Sequence, residues 1–448
     1  MSKLFFNNAL LPSGWARDIL IEHDAEGWIT GVSADAAMPE TGSSGHIAVP
    51  GVANLHSHAF QRAMAGLGEW RGTNDDSFWS WREVMYRFLG RLRPEDTEAI
   101  ATQLYVEMLE AGFTAVGEFH YVHHQPDGQP YDNLAEMAHR IQAAAAQTGI
   151  GLTMLPVFYA NGGFGGQPVG GAQMRFSNDV ERYLKLRQTI VVSGRDGLGA
   201  APHSLRAVTP ETLSDVASNT PSTPIHIHIS EQSKEVEDCL SWSGQRPVEW
   251  LLDHQPVDQR WCLIHATHMT DAETQGAAAA GAIAGLCPIT EANLGDGTFN
   301  GVVFNQAGGQ WGVGSDSHIR IDLAEELRSL EYSQRLRDLG RNRLAANGAA
   351  NGRSLFDAAA QGGANALQQN MGALEPGRIC DVVSLDHAHP VLIGKSDDDW
   401  LNSWIFAGDS RCVRDVWVAG SHVVADGRHR SRSTARTAFA KTMEHLLD

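Results

Sequence analysis

Two histidines separated by one residue end an apolar segment and could together bind a metal ion. They are His56 and His58, which close the run VPGVANLHSH at residues 49–58. In a β-strand, side chains at positions i and i+2 point to the same face, so both imidazoles would face one spot. Neutral imidazole is a common ligand for zinc. The pair therefore predicts half of a metal site, although two hydrogen-bonded histidines at a strand end would give the same pattern.

Further candidate ligands and acid–base groups lie at the ends of later segments that also look like strands. They are, in chain order, His226, His228, Glu231, His265 and Asp316. In a barrel of parallel strands, the carboxyl ends of all the strands meet at one mouth. We therefore expect these side chains and the first histidine pair to form a single site. Taken alone, each residue has an ordinary structural explanation, because a histidine at a strand end is usually a hydrogen-bonded polar residue.

Strand-like and helix-like segments alternate through the middle of the chain. Ile100, Leu104 and Met108 recur every four residues, and Gly112 ends the helix that they predict. Eight strands are expected: one ending at His56, and residues 114–119, 151–158, 197–201, 225–229, 261–265, 283–287 and 311–314. Gly- and Asn-rich loops are expected at residues 159–171 and 291–301. This alternation predicts an α/β fold, a (β/α)8 TIM-like barrel, over residues 50–375.

Short strand-like segments occupy both ends of the chain. Residues 18–22 and 28–32 flank a turn-prone stretch near the N-terminus, and residues 380–385 and 413–420 have a similar pattern near the C-terminus. Because the two ends of a domain often lie close together, we expect residues 1–49 and 376–448 to form one composite, β-sandwich-like domain.

Composition limits the partners and the compartment. The 448 residues carry a formal net charge of -19, which disfavours nucleic acid and anionic membranes as partners. The five cysteines are odd in number and scattered, which fits a reducing compartment. We see neither a leader-like N-terminal pattern nor an apolar run long enough to span a membrane. A cytoplasmic location is therefore expected.

The pattern of candidate ligands resembles that of the amidohydrolase superfamily, whose metal ligands lie on barrel strands one, five and eight. The matching residues are His56, His58, His228 and Asp316. His265 matches the superfamily's strand-six histidine. Members with two metals use a carboxylated lysine on strand four, but residues 197–203 contain no lysine. The resemblance implies one divalent metal ion per chain, expected to be Zn²⁺ with Fe²⁺ as the alternative, and it suggests a homodimer.

The resemblance also implies catalytic roles for three residues beside the metal. Zinc lowers the pKa of its bound water from about 15.7 to about 7, so hydroxide is the expected nucleophile. Glu231 is expected to carry protons, His265 to orient the hydroxide, and Asp316 to accept a hydrogen bond from it as well as bind the metal. His226 is expected in the barrel interior or behind the ligands, and the loop residues 123–124 receive no role.

The residues around the ligands resemble one family of the superfamily, the formimidoylglutamate deiminases. The stretches HSHAFQRAMAG at residues 56–66 and HISEQ at residues 228–232 carry this resemblance. It implies hydrolysis of N-formimidoyl-L-glutamate to N-formyl-L-glutamate and ammonia in histidine degradation. A small dicarboxylate substrate needs cations, and arginine can bind both oxygens of a carboxylate. The residues that match the family's substrate-binding positions are Gln61, Arg82, Tyr121, His203 and Arg206.

Two other kinds of function stay open on the sequence. One is another mononuclear amidohydrolase that acts on imidazolonepropionate or a nucleobase. The arginines disfavour neutral nucleobases, but imidazolonepropionate also carries a carboxylate. The other is a barrel that has lost catalysis and serves as an interaction scaffold, which the complete set of metal and acid–base residues argues against. A metal assay separates the scaffold from the enzymes, and ammonia release separates the enzymes from each other.

Overall fold

The structure, a computed structural model, describes residues 2–39, 43–71 and 78–448. Its strands are β1 (Ser2–Leu11), β2 (Gly14–His23), β3 (Ile29–Ser33), β4 (Ser43–Pro50), β5 (Val52–Ser57), β6 (Phe113–His120), β7 (Gly151–Phe158), β8 (Gly197–Leu198), β9 (Ala201–Pro202), β10 (Ile225–Ile229), β11 (Trp261–His265), β12 (Ile283–Leu286), β13 (Gln310–Val313), β14 (Val382–Leu385), β15 (Val413–Val418), β16 (Ser421–Ala425) and β17 (Arg428–His429).

Helices separate most of these strands. They are α1 (Phe78–Leu89), α2 (Pro94–Glu110), α3 (Glu136–Thr148), α4 (Val180–Thr189), α5 (Pro210–Ser218), α6 (Ser233–Ser243), α7 (Pro247–His254), α8 (Asp271–Ala279), α9 (Pro288–Leu294), α10 (Gly301–Gln306), α11 (Leu323–Asp338), α12 (Asn351–Ala366), α13 (Asp398–Ala407) and α14 (Arg432–Leu447). Short 3₁₀ helices span Ala59–Met64, Gly171–Arg175 and Ser410–Cys412.

The strands from β5 to β13 form the barrel, and all their pairings are parallel. β5, β6 and β7 pair in order, β7 pairs with both β8 and β9, and β10 to β13 pair in order. Parallel bridges close the ring, from Ala200 to Ile225 on one side and from Ser57 to Asp316 on the other. All eight predicted strands are present, with the fourth divided between β8 and β9. The predicted TIM-barrel-like α/β fold is confirmed.

The barrel strands are buried on both faces, because helices cover the outside and side chains fill the inside. Every residue of β5, β6 and β7 is buried. The helix predicted from Ile100, Leu104 and Met108 is α2, and these three residues face the core. Gly112 follows it with a φ of +93°, the left-handed conformation that glycine adopts at helix ends. The second predicted loop begins too early, because Glu291 lies within the short helix α9.

Strands from both chain ends pair in one sheet beside the barrel. Its order is β17-β16-β15-β14-β4-β1-β2-β3. The two ends meet where β14 pairs antiparallel with β4, with Val383 opposite Val49. The composite origin of these strands is as predicted, but the sandwich-like arrangement is not confirmed, since the pairing links all eight strands into one sheet. The division into domains at residues 49 and 376 stays a prediction.

Two further features concern the helices and the cysteines. In the described parts of the chain, no helix is long and apolar enough to cross a membrane. All five cysteines lie in those parts, and each is a buried free thiol.

Candidate active site

Three histidines and one aspartate converge at the carboxyl ends of the barrel strands. His56 lies near the end of β5, His58 one residue beyond it, His228 in β10 and Asp316 after β13. The Nε2 atom of His228 lies 3.1 Å from Nε2 of His56 and 3.3 Å from Nε2 of His58. Asp316 Oδ1 lies 3.5 Å and 3.3 Å from the same two atoms. All four side chains are buried and can present one ligand atom each to a common point.

These distances fit a single metal ion. Ligands at 2.0 to 2.1 Å from a tetrahedral zinc lie about 3.3 Å from each other, which is the spacing of these nitrogen and oxygen atoms. At these distances the nitrogen atoms can all direct lone pairs to one shared cation. The donor set of this chain therefore fits a divalent ion without rearrangement.

Backbone carbonyls fix the tautomers of two of these imidazoles. His58 Nδ1 donates to the Phe119 carbonyl at 2.9 Å, and His228 Nδ1 donates to the His203 carbonyl at 3.0 Å. In both rings the hydrogen then sits on Nδ1 and the lone pair on Nε2 faces the site. Burial also lowers the pKa of His56, His58 and His228, which keeps them neutral. Neutral imidazole is the form that binds a metal.

Behind the His56–His58 strand end lies a buried polar group that the sequence interpretation left without a role. The Glu118 carboxylate accepts hydrogen bonds from Ser57 Oγ at 2.5 Å, from Ala59 N at 2.7 Å and from Tyr105 Oη at 3.1 Å. His318 Nε2 lies 3.1 Å from Ser57 Oγ. Because these contacts surround the residues between and after the two histidines, they hold the backbone that carries both imidazoles. A carboxylate within β6, two residues before the strand ends at His120, was the available signal in the sequence.

Glu231 and His265 lie beside the four-residue group. His265 Nε2 is 3.9 Å from Glu231 Oε1 and 3.9 Å from Asp316 Oδ2, and His265 Nδ1 is 3.2 Å from Glu291 Oε1. Burial raises the pKa of Glu231 to about 6. Burial alone would lower the pKa of His265, but Glu231, Glu291 and Asp316 together raise it to about 10. A buried carboxyl with a pKa near neutrality suits proton transfer.

Three of the residues at the strand ends have strained backbones. Ser230, His265 and Asp316 have φ values of +53°, +66° and +44°, a region that residues other than glycine rarely adopt. Such strain persists only where the surroundings hold the chain in place, and it concentrates at functional sites. Here it turns the chain at the end of its strand so that Glu231, His265 and Asp316 face a common cavity.

The five predicted substrate-binding residues all line that cavity. They are Gln61, Arg82, Tyr121, His203 and Arg206. Gln61 Nε2 donates to Tyr121 Oη at 2.9 Å, and Arg82 Nε donates to the hydroxyl of Tyr86 at 2.6 Å. Five of the six other predicted site residues also line the cavity, namely His58, His228, Glu231, His265 and Asp316. His56 lies behind its wall, in contact with His228.

Aromatic side chains that the sequence interpretation did not single out form much of the remaining wall. They are Trp81, Tyr86, Tyr159 and Phe176. The first two lie on α1, and the other two follow β7. Spacing along the chain gave no signal for the second pair, because a long loop separates them. These rings form an aromatic part of the wall of the cavity that Arg82 and Arg206 also line.

The other histidines considered from the sequence have structural partners. His226 is buried in the barrel interior, with Nε2 at 2.8 Å from the Ala366 carbonyl. His123 and His124, expected in a polar loop, are instead buried and contact the carbonyls of Val157 and Ser177. None of the three lines the cavity.

A barrel with three histidines and an aspartate at the carboxyl ends of strands one, five and eight defines a class of metal-dependent hydrolases. The chain belongs to the amidohydrolase family, whose sequence model matches residues 47–423. Over the full length of both chains, it is 52% identical to the formimidoylglutamate deiminase of Pseudomonas aeruginosa.

Solved structures agree with this assignment. An amidohydrolase from Brucella melitensis is 53% identical and superposes with a TM-score of 0.95, with 100% of both chains covered. An adenosine deaminase from Xanthomonas campestris, solved with bound zinc, is 20% identical and has a TM-score of 0.81 over 99% of this chain and 98% of its own. At that identity, the second likeness shows only that the fold is shared.

Proposed function

We propose that this chain hydrolyses N-formimidoyl-L-glutamate to N-formyl-L-glutamate and ammonia. One observation carries the proposal: Arg82 and Arg206 line the same cavity as the metal-binding group of the barrel mouth. A substrate with two carboxylates and a hydrolysable end fits a cavity with two guanidinium groups and a catalytic metal. The relative from Pseudomonas aeruginosa, which carries the name of this activity, supports the same conclusion.

We propose one divalent ion per chain, held by three imidazoles and one carboxylate. The residues are His56, His58, His228 and Asp316. When bound, such an ion lowers the pKa of a coordinated water and polarises the substrate, so that a nucleophile is available near neutral pH. Zn²⁺ is the expected ion because imidazole and carboxylate are ligands it prefers, and Fe²⁺ is the alternative.

Glu231 is the proton carrier in this proposal. It removes a proton from the water that attacks the formimidoyl carbon, and a bond forms between that carbon and the water oxygen. The tetrahedral intermediate then breaks its bond to the terminal nitrogen. Glu231 delivers the first proton to that nitrogen and then transfers the remaining hydroxyl proton of the intermediate to it, so that the nitrogen leaves as ammonia and the hydroxyl oxygen becomes the formyl oxygen. The products are ammonia and the N-formyl group, so the atoms of water and substrate are all accounted for.

Two neighbours of Glu231 orient the reacting groups. His265 Nε2 lies within 3.9 Å of both Glu231 and Asp316, so it can direct a hydrogen bond toward the attacking oxygen. Asp316, which would also hold the metal, can accept a hydrogen bond from the same water. Glu291 holds the His265 ring through Nδ1. The orientation of the His265 ring is therefore fixed before the substrate binds.

The glutamate part of the substrate binds away from the metal. Arg82 and Arg206 form ion pairs with its two carboxylates, and Gln61, Tyr121 and His203 contribute hydrogen bonds around them. The bond between Gln61 and Tyr121 holds the phenol in place. Imidazolonepropionate carries one carboxylate, so it can form an ion pair with only one of the two arginines of the cavity. N-formimidoyl-L-glutamate can form an ion pair with each of them, which favours the dicarboxylate.

The deciding experiment measures ammonia release from four compounds with the purified, metal-loaded protein. N-formimidoyl-L-glutamate should be turned over with a much higher kcat/KM than imidazolonepropionate, guanine or adenine. If a nucleobase or imidazolonepropionate is the better substrate, the proposed function is wrong. The expected homodimer and the cytoplasmic location stay predictions, and sedimentation of the same preparation checks the first.

A further inference from the structure

The two carboxylate oxygens of Asp316 face two different groups of metal-binding side chains. Oδ1 is the atom near the three histidines, at 3.3 Å from His58 Nε2. Oδ2 faces the other way, at 3.9 Å from His265 Nε2. A carboxylate in this position can bind one cation through each oxygen, as bridging carboxylates do in two-metal sites.

The group that Oδ2 faces contains a thiol. The side chains of His265, Cys287 and Asp316 can each present one ligand atom, and these atoms lie within 4.8 Å of one another. All three side chains are buried, and they follow or end three consecutive barrel strands, β11, β12 and β13. Metal bonds of about 2.0 to 2.3 Å to nitrogen, oxygen and sulfur span such a triangle with side-chain shifts below about 1 Å.

We propose that His265, Cys287 and Asp316 form a second cation site, which binds thiophilic divalent ions such as Cd²⁺ or excess Zn²⁺ and thereby inhibits the enzyme. Its ligand set of imidazole, thiolate and carboxylate selects these ions over Mg²⁺ or Mn²⁺, which prefer oxygen. His265 and Asp316 line the cavity, so an ion reaches the site from there. When the ion binds, the Cys287 thiol and the protonated His265 imidazole each lose a proton to the buffer.

Occupation of this site should be weaker than occupation of the first. The first site has four ligand atoms at suitable distances, whereas the second has three and requires both the Cys287 thiol and the His265 imidazole to lose a proton. Inhibition follows because the second ion takes the imidazole of His265 and one oxygen of Asp316 away from the attacking water. This inhibition rests on the proposed function, but occupation of the site does not.

Cadmium provides a direct probe, because a cadmium–thiolate bond absorbs in the ultraviolet through charge transfer. Wild-type protein loaded with one equivalent of Cd²⁺ should lack this band, and further Cd²⁺ should produce it. Cys287→Ser should remove the band. Cys262→Ser is the matched control, because Cys262 is also a buried barrel thiol, on β11, but does not belong to the cluster. A band that persists in Cys287→Ser, or that disappears in Cys262→Ser, would overturn the proposal.

Two further measurements keep the test decisive. Cadmium-113 NMR of the wild-type protein needs no variant: two resonances are expected, one of them strongly deshielded by sulfur, and a single resonance in excess Cd²⁺ contradicts the site. Ammonia release is then measured at one and at several equivalents of Cd²⁺. Excess ion should inhibit the wild type and Cys262→Ser but spare Cys287→Ser. Lack of turnover at one equivalent would instead count against the proposed function, whatever the band shows.

Discussion

Glu231 is a buried carboxyl group whose surroundings prepare it to carry a proton. Burial raises its pKa to about 6, and the His265 imidazole lies 3.9 Å away. Glu231→Gln keeps the size of the side chain but cannot accept a proton. We expect kcat to fall roughly 10²- to 10⁴-fold, with metal content and KM close to those of the wild type. Steady-state kinetics and elemental analysis of the same preparations measure both.

A different outcome for Glu231→Gln would show that Glu231 is not the proton carrier. If Glu231→Gln keeps a kcat near the wild-type value, the proton passes through His265 and the assignment of Glu231 is wrong. Loss of the metal in this variant would make Glu231 a ligand rather than a proton carrier.

Asp316 is the one carboxylate among the four residues that surround the proposed metal. Asp316→Ala removes the only anionic ligand and leaves three neutral imidazoles, so we expect the purified variant to lose both metal and activity. Elemental analysis gives the metal content per chain, with Glu231→Gln as the control that should retain one ion. Two tightly held ions per wild-type chain, or an active enzyme without metal, would contradict a single catalytic ion.

Arg82 and Arg206 should account for much of the affinity for the dicarboxylate. Truncating either to alanine leaves a substrate carboxylate without its partner, so kcat/KM should fall by the equivalent of about 2 to 5 kcal/mol. Arg140→Ala is the control, because this arginine forms ion pairs with Glu98 and Glu136 outside the cavity. N-formimidoyl-L-glutamine lacks the side-chain carboxylate. With this substrate, truncating the arginine that binds that carboxylate should therefore no longer lower kcat/KM. Wild-type kinetics in both variants would exclude the two arginines from the site.

At the level of secondary structure, the buried carboxyl group of Glu326 on α11 connects this helix to α9. Its Oε2 accepts a hydrogen bond from Ile289 N at 3.0 Å, and its side chain is fully buried. Burial, followed by the nearby carboxylates of Glu291 and Asp322, raises the pKa of Glu326 well above 4.5. The helix α11 therefore carries a carboxyl group that is neutral in the folded protein over a range of pH where it would be charged in the unfolded chain.

This raised pKa gives a stability effect with a definite sign. Below about pH 4.5 the group is protonated in both states. As the pH rises, the unfolded chain loses the proton first, so the free energy of unfolding falls until the folded pKa is reached. The glutamine of Glu326→Gln does not titrate, so this variant does not lose that part of its free energy of unfolding as the pH rises. Its free energy of unfolding should therefore match that of the wild type near pH 4.5 and exceed it increasingly as the pH rises toward 7.

Urea unfolding midpoints of both proteins between pH 4.5 and pH 8 test this prediction. Glu22→Gln is a control, because Glu22 forms only a partly exposed ion pair with Lys3. An advantage of Glu326→Gln that is constant with pH, or that shrinks as the pH rises, would contradict the raised pKa.

In the whole molecule, the sheet built from the chain ends is fastened to the barrel by a buried ion pair. Arg195, in the segment before β8, donates from Nη1 and Nη2 to the two oxygens of Asp381 at 2.7 and 2.8 Å. Asp381 precedes β14 and also accepts a hydrogen bond from Ala419 N at 2.8 Å. This bidentate contact therefore connects the barrel to two separate parts of the sheet.

Asp381→Asn breaks this pair and leaves a largely buried guanidinium group without its charge partner. We expect the free energy of unfolding to fall by about 2 to 4 kcal/mol, while metal content and kcat stay unchanged because neither Arg195 nor Asp381 lines the cavity. Asp238→Asn is the matched control: its pair with Lys234 has a similar length, 2.8 Å, but is exposed, so its effect should stay below about 1 kcal/mol. Equal effects of the two substitutions would exclude the proposed fastening role.

The sequence alone determined the barrel and most of the candidate site. Apolar strand segments that alternate with helical ones can bury both faces of each strand only in a barrel or a covered sheet. Ligands at strand ends must then share one mouth, which is why the first histidine pair could be grouped with the later strand-end residues before any distance was available. The resemblance to the amidohydrolase superfamily then indicated His56, His58, His228 and Asp316 as the metal ligands. Local spacing contained this information because the position of a residue within its strand sets the direction of its side chain.

Only the tertiary structure decided the contacts that depend on the ring as a whole. Cys287 meets Asp316 because β12 and β13 are neighbours, and Glu118 supports the histidine pair because β6 lies beside β5. Neither pairing leaves a periodic pattern in the chain. The arrangement of the terminal strands was also beyond the sequence, since their pairing joins segments more than 300 residues apart, such as Val49 and Val383. Alternation predicts strands, but their order and partners depend on packing over the whole molecule.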